Sequence, residues 1–234
     1  MADNMDGRKS TGIPKLDDLI EGGIINDSIM MLEGDAGTGK STMAVQYLLA
    51  GIKAGEKGVY VSVDESKKSL YRNMVRFGFN LEEYDNAGAL LFHELKPHQM
   101  REFLDKGVLG IEEQLIAMKA QRLVLDSITA FALLYETDAK QRSAVHNLFD
   151  KIRNWGLTTL IIAESAEENH QFGLRYLVDG WIKLSRKKVG QERIRTIEVL
   201  KMRGTKHDTN EIVYRIEKNG INLYPSERML GGDL

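Results

Sequence analysis

Three glycines, a lysine and a hydroxyl are combined in the segment Gly34–Ser41, which reads Gly-Asp-Ala-Gly-Thr-Gly-Lys-Ser and fits the pattern G-x-x-x-x-G-K-[ST]. Glycines let a backbone curl so that successive N–H groups point at one anion. Lys40 would supply positive charge to β- and γ-phosphates, and the Ser41 hydroxyl would be a ligand for Mg²⁺. The predicted phosphate-binding residues are therefore Gly34, Asp35, Ala36, Gly37, Thr38, Gly39, Lys40, Ser41 and Thr42.

The flanks of this segment favour a phosphate-binding loop over a glycine-rich turn that happens to precede a lysine. An apolar run at 29–32 predicts a strand before it, and Met43, Tyr47 and Ala50 follow at helical spacing. A strand, a loop and a helix in this order aim a helix N-terminus at phosphate. The sequence thus predicts binding of a nucleoside triphosphate, with ATP and Mg²⁺ as the expected ligands.

Carboxylates end two other predicted strands. Asp126 closes the apolar run 122–126, and we expect it to hold Mg²⁺ together with Ser41, although a strand-end aspartate also caps turns. Asp64 and Glu65 follow the run 58–63, where either carboxylate could orient and deprotonate a water. The alternative for this pair is two solvated acids that begin a helix.

Two groups of cations lie in the last third of the chain. Lys201 and Arg203 are two residues apart on a predicted strand, so their side chains share one face. They suit charge donation to a neighbouring subunit's γ-phosphate, and a solvated basic stripe is the alternative. The basic run Arg186-Lys187-Lys188 is expected to decorate a hairpin turn, with nucleic-acid contact as a minority interpretation.

The elements that must position these residues alternate along most of the chain. Short apolar runs are separated by amphipathic helical stretches, which predicts an α/β fold with a mainly parallel sheet flanked by helices. From Trp181 onward, strands follow one another without long helices, and Asn219-Gly220 predicts a tight final hairpin. We therefore expect an antiparallel C-terminal extension of the sheet.

Composition limits the classes of function. A net charge of −2 argues against a nucleic-acid partner, and the absence of cysteine excludes disulfides and thiolate zinc sites. With no signal-like or membrane-spanning run, we expect a cytoplasmic protein without a membrane partner. We predict one ATPase domain over residues 11–226, between a flexible N-terminus (1–10) and a flexible C-terminal tail (227–234).

Taken together, the motifs resemble the RecA-like P-loop ATPases and most closely the KaiC family, named for a bacterial circadian clock protein. The resemblance is carried by the opening segment from Thr11 to Gly23, by Asp64-Glu65, by Leu125-Asp126-Ser127, by the basic strand motif 201–207 and by Gly220-Ile221-Asn222. It implies self-association into a ring, commonly a hexamer, with ATP between subunits. A regulatory protein is a further expected partner. It also implies that Lys201, Arg203 and Arg195 act at a neighbour's nucleotide, with His207 as a helper.

The departures from the family pattern leave alternatives open. Asp64 stands where the family carries the first of two glutamates, so catalysis would be slow or would depend on Glu65. Arg175-Tyr176 replaces a Ser-Thr pair of the clock protein's kinase half, so autophosphorylation is not predicted. The leading prediction is an oligomeric ATPase. An ATP-gated regulatory scaffold with little hydrolysis and a RecA-like DNA recombination or repair accessory are the alternatives.

Overall fold

The computed structural model describes residues 7–95, 111–165 and 173–228. Its strands are β1 (Arg8–Lys9), β2 (Ile24–Ile25), β3 (Ile29–Gly34), β4 (Gly58–Ser62), β5 (Leu90–Glu94), β6 (Arg122–Asp126), β7 (Thr158–Glu164), β8 (Gly180–Val189), β9 (Glu192–Met202), β10 (Ile212–Glu217) and β11 (Gly220–Arg228). The helices of the described residues are α1 (Pro14–Leu19), α2 (Lys40–Lys53), α3 (Lys67–Val75), α4 (Leu81–Asn86), α5 (Ile111–Met118), α6 (Ile128–Ala132), α7 (Asp138–Asn154) and α8 (Leu174–Leu177).

Nine of these strands form one sheet in the order β11-β10-β9-β8-β3-β7-β6-β4-β5. The strands from β8 to β5 in this order are parallel to their neighbours, whereas β9, β10 and β11 are added antiparallel. The predicted α/β class, with a mainly parallel sheet and an antiparallel C-terminal extension, is confirmed. The strand that precedes the phosphate loop, β3, lies near the middle of the sheet, between β8 and β7.

Apolar clusters cover both faces of the sheet. Along β3, Met30 and Leu32 pack into the cluster that contains α1 to α4, while Ile29 and Met31 pack into the cluster that contains α5 to α8. This alternation is the period of two that a strand imposes on its side chains. The loop that follows β3 is therefore anchored to a strand that is buried on both faces.

The opening segment is fixed by a small sheet and by one half-buried carboxylate. β1 pairs antiparallel with β2, so Arg8–Lys9 has a defined pairing although we expected residues 1–10 to be flexible. Asp17 accepts hydrogen bonds from Ser10 Oγ at 2.6 Å, Thr11 N at 2.8 Å and Thr11 Oγ1 at 2.6 Å. At the other end, β11 reaches Arg228, two residues past the predicted domain boundary; residues 1–6 and 229–234 lie outside the described part.

The final hairpin forms as predicted, but its turn is shifted by one residue. Glu217 pairs with Gly220, so Lys218 and Asn219 are the turn residues and Gly220 begins β11 with φ +99°. Gln46 of α2 fixes the hairpin: Ile221 N donates to Gln46 Oε1 at 2.7 Å, and Gln46 Nε2 donates to Ile221 O at 3.3 Å. The hairpin is thereby tied to the helix that begins at the phosphate loop.

Candidate nucleotide site

The loop between β3 and α2 has the backbone of an anion-binding site. Gly37 (φ 76°) and Gly39 (φ 94°) take left-handed conformations that favour glycine. Gly39 is the N-cap of α2 and offers no side-chain cap, so the first N–H groups of this helix are left for another acceptor. Gly34 is needed for space, since a β-carbon there would lie 2.8 Å from Thr38 Oγ1 and 2.7 Å from Leu184 O. This arrangement suits phosphate.

The Lys40 side chain folds back over the loop. Its Nζ donates to Gly34 O at 2.7 Å and to Asp35 O at 3.0 Å. Burial lowers the pKa of Lys40, and the negative charges of Glu164, Asp126 and Asp35 oppose this shift. The ammonium group is therefore held at the loop by two carbonyls that an anion can replace as its partners.

An oxygen pair forms where α2 meets β6. Ser41 Oγ donates to Asp126 Oδ2 at 3.1 Å, and Tyr60 of β4 donates its hydroxyl to the same oxygen at 2.5 Å. Burial raises the pKa of Asp126, while the hydrogen bonds from Tyr60 and Ser41 and the charge of Lys40 oppose it. A hydroxyl and a carboxylate are the oxygen ligands that Mg²⁺ takes in phosphate sites, where waters and phosphates complete the shell. The pair thus fits this metal.

The described residues contain no group of three or more His, Asp and Glu side chains that could hold a metal by themselves. Two protein oxygens beside a phosphate loop match Mg²⁺, which keeps several of its waters and shares phosphate oxygens. The other predicted loop residues divide by exposure. Asp35, Ala36 and Gly37 are exposed on the loop, whereas Thr38 and Thr42 are buried.

The two acids after β4 have different surroundings. Glu65 Oε1 accepts hydrogen bonds from Ser69 Oγ at 2.8 Å and from Asn73 Nδ2 at 3.1 Å, both on α3. Glu65 lies three residues after Ser62, the cross-strand partner of Asp126, and its N–H donates to Ser62 Oγ at 3.0 Å. Asp64 is exposed, and among the described residues its Oδ2 accepts one long bond, 3.5 Å, from Ser127 Oγ. Both acids therefore follow the strand beside Asp126, and Glu65 is the one whose side chain is fixed by shorter hydrogen bonds.

Lys201 and Arg203 lie away from the loop of their own chain. Lys201 pairs with Trp181 of β8, which pairs with Met31 near the start of β3. At about 3.3 Å per residue and 4.8 Å per strand, their backbones lie roughly 15–20 Å from Gly34, beyond the reach of either side chain. The two cations therefore lie toward the amino ends of the parallel strands, while the loop lies at the carboxyl ends.

Both cations are held by the segment around α8. Lys201 Nζ donates to Val178 O at 2.6 Å and to Arg175 O at 2.9 Å, and burial lowers the pKa of Lys201. Arg203 donates to Tyr176 O at 3.2 Å and lies 3.4 Å from Asp179 Oδ1, with 58% of its side chain exposed. His207 follows in the same loop, its Nδ1 3.3 Å from Thr205 O. Lys201 and Arg203 contact carbonyls of the same segment, although β9 ends at Met202 and Arg203 lies in the turn after it and not on the predicted strand.

Arg195 has a different location. Arg195 Nη2 lies 3.5 Å from Gly37 O of its own loop. The cause is the strand order, because β9 is separated from β3 only by β8 and Arg195 is near the end of β9 that lies beside the loop. The contact with a neighbour's nucleotide that the family resemblance implied stays a prediction. Tyr214 of β10 also contacts the loop, with its hydroxyl donating to Thr38 O at 2.5 Å.

Some site residues were not predicted from the sequence. Tyr60 gave a usable signal, since it lies on the strand before Asp64-Glu65, but a tyrosine in an apolar run is normally a core residue. Ser69 and Asn73 could have been noticed as polar positions four residues apart, one and two helical turns after Glu65. Tyr214 gave no signal, because its contact depends on non-local strand pairing.

Comparison with known proteins places the chain in a family. The family model described as "ATPase: KaiC" matches residues 9–228. The circadian clock protein KaiC3 of Synechocystis is 33% identical over 92% of this chain, which spans 45% of that relative. A UPF0273 protein of Thermotoga maritima is 30% identical over 94% of this chain and 97% of its own length. The chain thus spans less than half of KaiC3 and nearly the whole UPF0273 protein.

A solved structure agrees with these matches. The crystal structure of a KaiC-like protein from the hyperthermophilic archaeon Pyrococcus horikoshii superposes with a TM-score of 0.84 at 33% identity, covering 93% of this chain and 99% of that one. Such a match confirms the RecA-like fold that the resemblance implied. Among the described residues, no helix is both long and apolar enough to span a bilayer. The chain belongs to the KaiC ATPase family.

Proposed function

We propose that this protein is an ATP-hydrolysing, ring-forming ATPase whose nucleotide lies between subunits. The observation that carries the proposal is the placement of its charges: the loop, Lys40 and Asp126 lie at one edge of the sheet, and Lys201 and Arg203 lie toward the other. A γ-phosphate needs positive charge on more than one side as its bond breaks. One subunit supplies this from its loop, and the next subunit supplies it from its opposite edge.

The residues divide the work as follows. The loop N–H groups and Lys40 bind the phosphates, and Ser41 with Asp126 would hold Mg²⁺, which supplies charge neutralisation at the phosphate oxygens. Glu65 orients and deprotonates the attacking water, since it follows the strand that pairs with Asp126 and its side chain is fixed by hydrogen bonds from Ser69 and Asn73. Lys201 and Arg203 of a neighbouring subunit stabilise the charge that develops on the γ-phosphate.

Mixing two inactive variants tests this division. Glu65→Gln removes the acid at a subunit's own loop, and Arg203→Ala removes the cation that it offers to its neighbour. Each alone should lose ATP hydrolysis. In rings that mix the two at random, about a quarter of the interfaces combine an intact loop side with an intact arginine side. Activity should therefore return to about a quarter of the wild-type value in an equal mixture. A mixture as inactive as its components contradicts a shared site.

A second candidate is an ATP-gated scaffold with little hydrolysis. It is favoured by the hydrogen bonds that hold Glu65 Oε1 to α3 and by the exposed Asp64 in the place of a family glutamate. Single-turnover measurements separate the two functions. A scaffold would bind ATP and assemble with it but leave the bound ATP intact over hours, whether or not Glu65 is replaced by Gln.

A further inference from the structure

Two arginines face each other at the tip of the phosphate loop. Arg186 of β8 and Arg195 of β9 are direct cross-strand partners. Arg195 Nη2 lies 3.5 Å from Gly37 O, and Arg186 Nη1 lies 3.7 Å from the position that a β-carbon on Gly37 would occupy. Both guanidinium groups therefore end at the same glycine. Arg186 belongs to the basic run that the sequence assigned to hairpin decoration.

The charge of this pair is not balanced by acids. Like charges on directly opposed strand positions destabilise a sheet. In the part of the chain that the structure describes, no ion pair involves Arg186 or Arg195, whereas the adjacent Lys187 is paired with Glu211 at 2.5 Å. Arg195 Nε is shielded from solvent and has no hydrogen-bond partner among the described residues. Two adjacent guanidinium groups without a carboxylate partner, one of them with a shielded and unpartnered N–H, are suited to binding an anion.

The neighbouring loop identifies the class of anion. Guanidinium groups match phosphate oxygens with pairs of parallel N–H bonds, and the loop beside them presents N–H groups and Lys40 to phosphate. Lys201 and Arg203 are too far away to serve the same loop. Arg186 and Arg195 are therefore placed to act with Lys40 of the same subunit on a polyphosphate.

We propose that Arg186 and Arg195 form a phosphate-binding pair at the loop of their own chain and hold the polyphosphate of ATP before any neighbour contributes. The proposal rests on the nucleotide site proposed above and deepens it. It assigns different cations to ATP binding and to ATP hydrolysis. Binding uses cations of one subunit, and hydrolysis uses cations of two neighbouring subunits. Arg186 is the distinctive member, because nothing in the motifs assigned it a role.

The test compares nucleotide affinity in matched variants of the full chain. All carry Arg203→Ala, so that a neighbour's arginine does not contribute. Arg186→Ala is compared with Arg193→Ala, which removes the same charge two residues from Arg195 on the same face of β9, about 7 Å further from the loop. Calorimetric titrations use ATP with Mg²⁺, ADP with Mg²⁺, and inorganic tripolyphosphate.

We expect Arg186→Ala to weaken ATP and tripolyphosphate binding by about tenfold or more, as expected for loss of a charge-assisted hydrogen bond. Arg193→Ala should stay within about twofold of its parent. Without ligand, the denaturation midpoint of Arg186→Ala should be unchanged or higher, since removing one of two opposed like charges relieves repulsion. A structural role for Arg186 would instead lower both stability and affinity.

Other results overturn the proposal. If Arg186→Ala binds ATP within twofold of its parent, the arginine pair does not belong to the nucleotide site. If Arg193→Ala loses as much ATP affinity as Arg186→Ala, the effect comes from the overall positive charge of the hairpin and not from a specific contact. If tripolyphosphate binding alone depends on Arg186, the pair serves a phosphate source other than ATP. Failure of the proposed function gives different results. If a chain that retains Arg203 does not bind ATP, both the proposed function and the arginine pair are overturned. If ATP binding depends on Arg186 but no ATP is hydrolysed, only the proposed hydrolysis is overturned.

Discussion

Asp126 is the residue at which the loop, the sheet and the expected metal meet. Its Oδ2 accepts hydrogen bonds from Ser41 and from Tyr60, and these donors oppose the rise in its pKa that burial causes. Such donors stabilise the ionised carboxylate, which is the form that binds a cation. Tyr60 thus has a role in the candidate site although it lies within an apolar strand.

The two acids after β4 should differ sharply in their effect on turnover. Glu65→Gln should lower kcat by about 100-fold or more, because it removes the proposed base, which Ser69 and Asn73 hold in place. Asp64→Asn should change kcat by less than about threefold, since Asp64 is exposed and makes one long contact. Steady-state ATP hydrolysis with saturating Mg²⁺ measures both. The reverse ranking would assign the water to Asp64.

At the scale of elements, α3 positions Glu65. Ser69 and Asn73 donate to the same oxygen, Oε1, and thereby fix the orientation of the carboxylate. Asn73→Ala should lower kcat by about tenfold with little change in KM for ATP. In a Glu65→Gln background the same change should have no further effect, because the group that it positions is gone. Arg72→Ala, on the exposed side of α3, is the control.

The link between α2 and the final hairpin can be tested through Gly220. A β-carbon there would lie 2.5 Å from the Gln46 side chain at a φ of +99°, so Gly220→Ala combines backbone strain with overpacking. We expect a loss of about 3 kcal/mol in the free energy of unfolding. Gly88→Ala is the matched control, with φ +69° and no atom within 4 Å, and should cost about 1 kcal/mol. Urea denaturation measures both; equal losses would show that Gln46 adapts.

At the scale of the whole molecule, the two groups of residues that the proposed site combines lie at opposite ends of the parallel strands. The chain before β3 keeps the distant group in place: Arg8 donates to Thr205 Oγ1 at 3.0 Å, and Glu21 Oε2 accepts from Lys206 N at 3.3 Å. The Glu21 contact gives the segment 11–23, which the family resemblance emphasised, a physical role. It supports the loop that follows Arg203.

Assembly should therefore control hydrolysis. The rate per subunit should rise with protein concentration around the assembly threshold, because each complete site needs two subunits. Size-exclusion chromatography with mass detection, with and without ATP and Mg²⁺, should show the larger species wherever turnover is high. Arg203→Ala should lose turnover. Full hydrolysis by a species shown to be monomeric, with Lys201→Ala and Arg203→Ala silent, contradicts the shared site.

Much of the fold and part of the candidate site were predictable from local patterns. The segment Gly34–Ser41 carries its own signal, because glycines, lysine and serine at fixed offsets are required by one loop geometry. The alternation of apolar runs with helical stretches predicted the sheet class, since each element shows its own period. The predicted turn at Asn219-Gly220 was wrong by one residue. Gly220, with its positive φ, pairs with Glu217 in the strand ladder, so Lys218 and Asn219 form the turn.

The sequence by itself determined that a phosphate loop follows a buried strand, that Asp126 ends another strand, and that cations cluster late in the chain. Only the tertiary structure decided which cations lie beside the loop of their own chain. That depends on β3 lying between β8 and β7, a pairing between segments some 130 to 150 residues apart that no local pattern encodes. The same pairing places Arg195 and Arg186 beside their own loop. Lys201 and Arg203 lie far from it, because β9 runs from the carboxyl ends of the parallel strands, beside the loop, toward their amino ends.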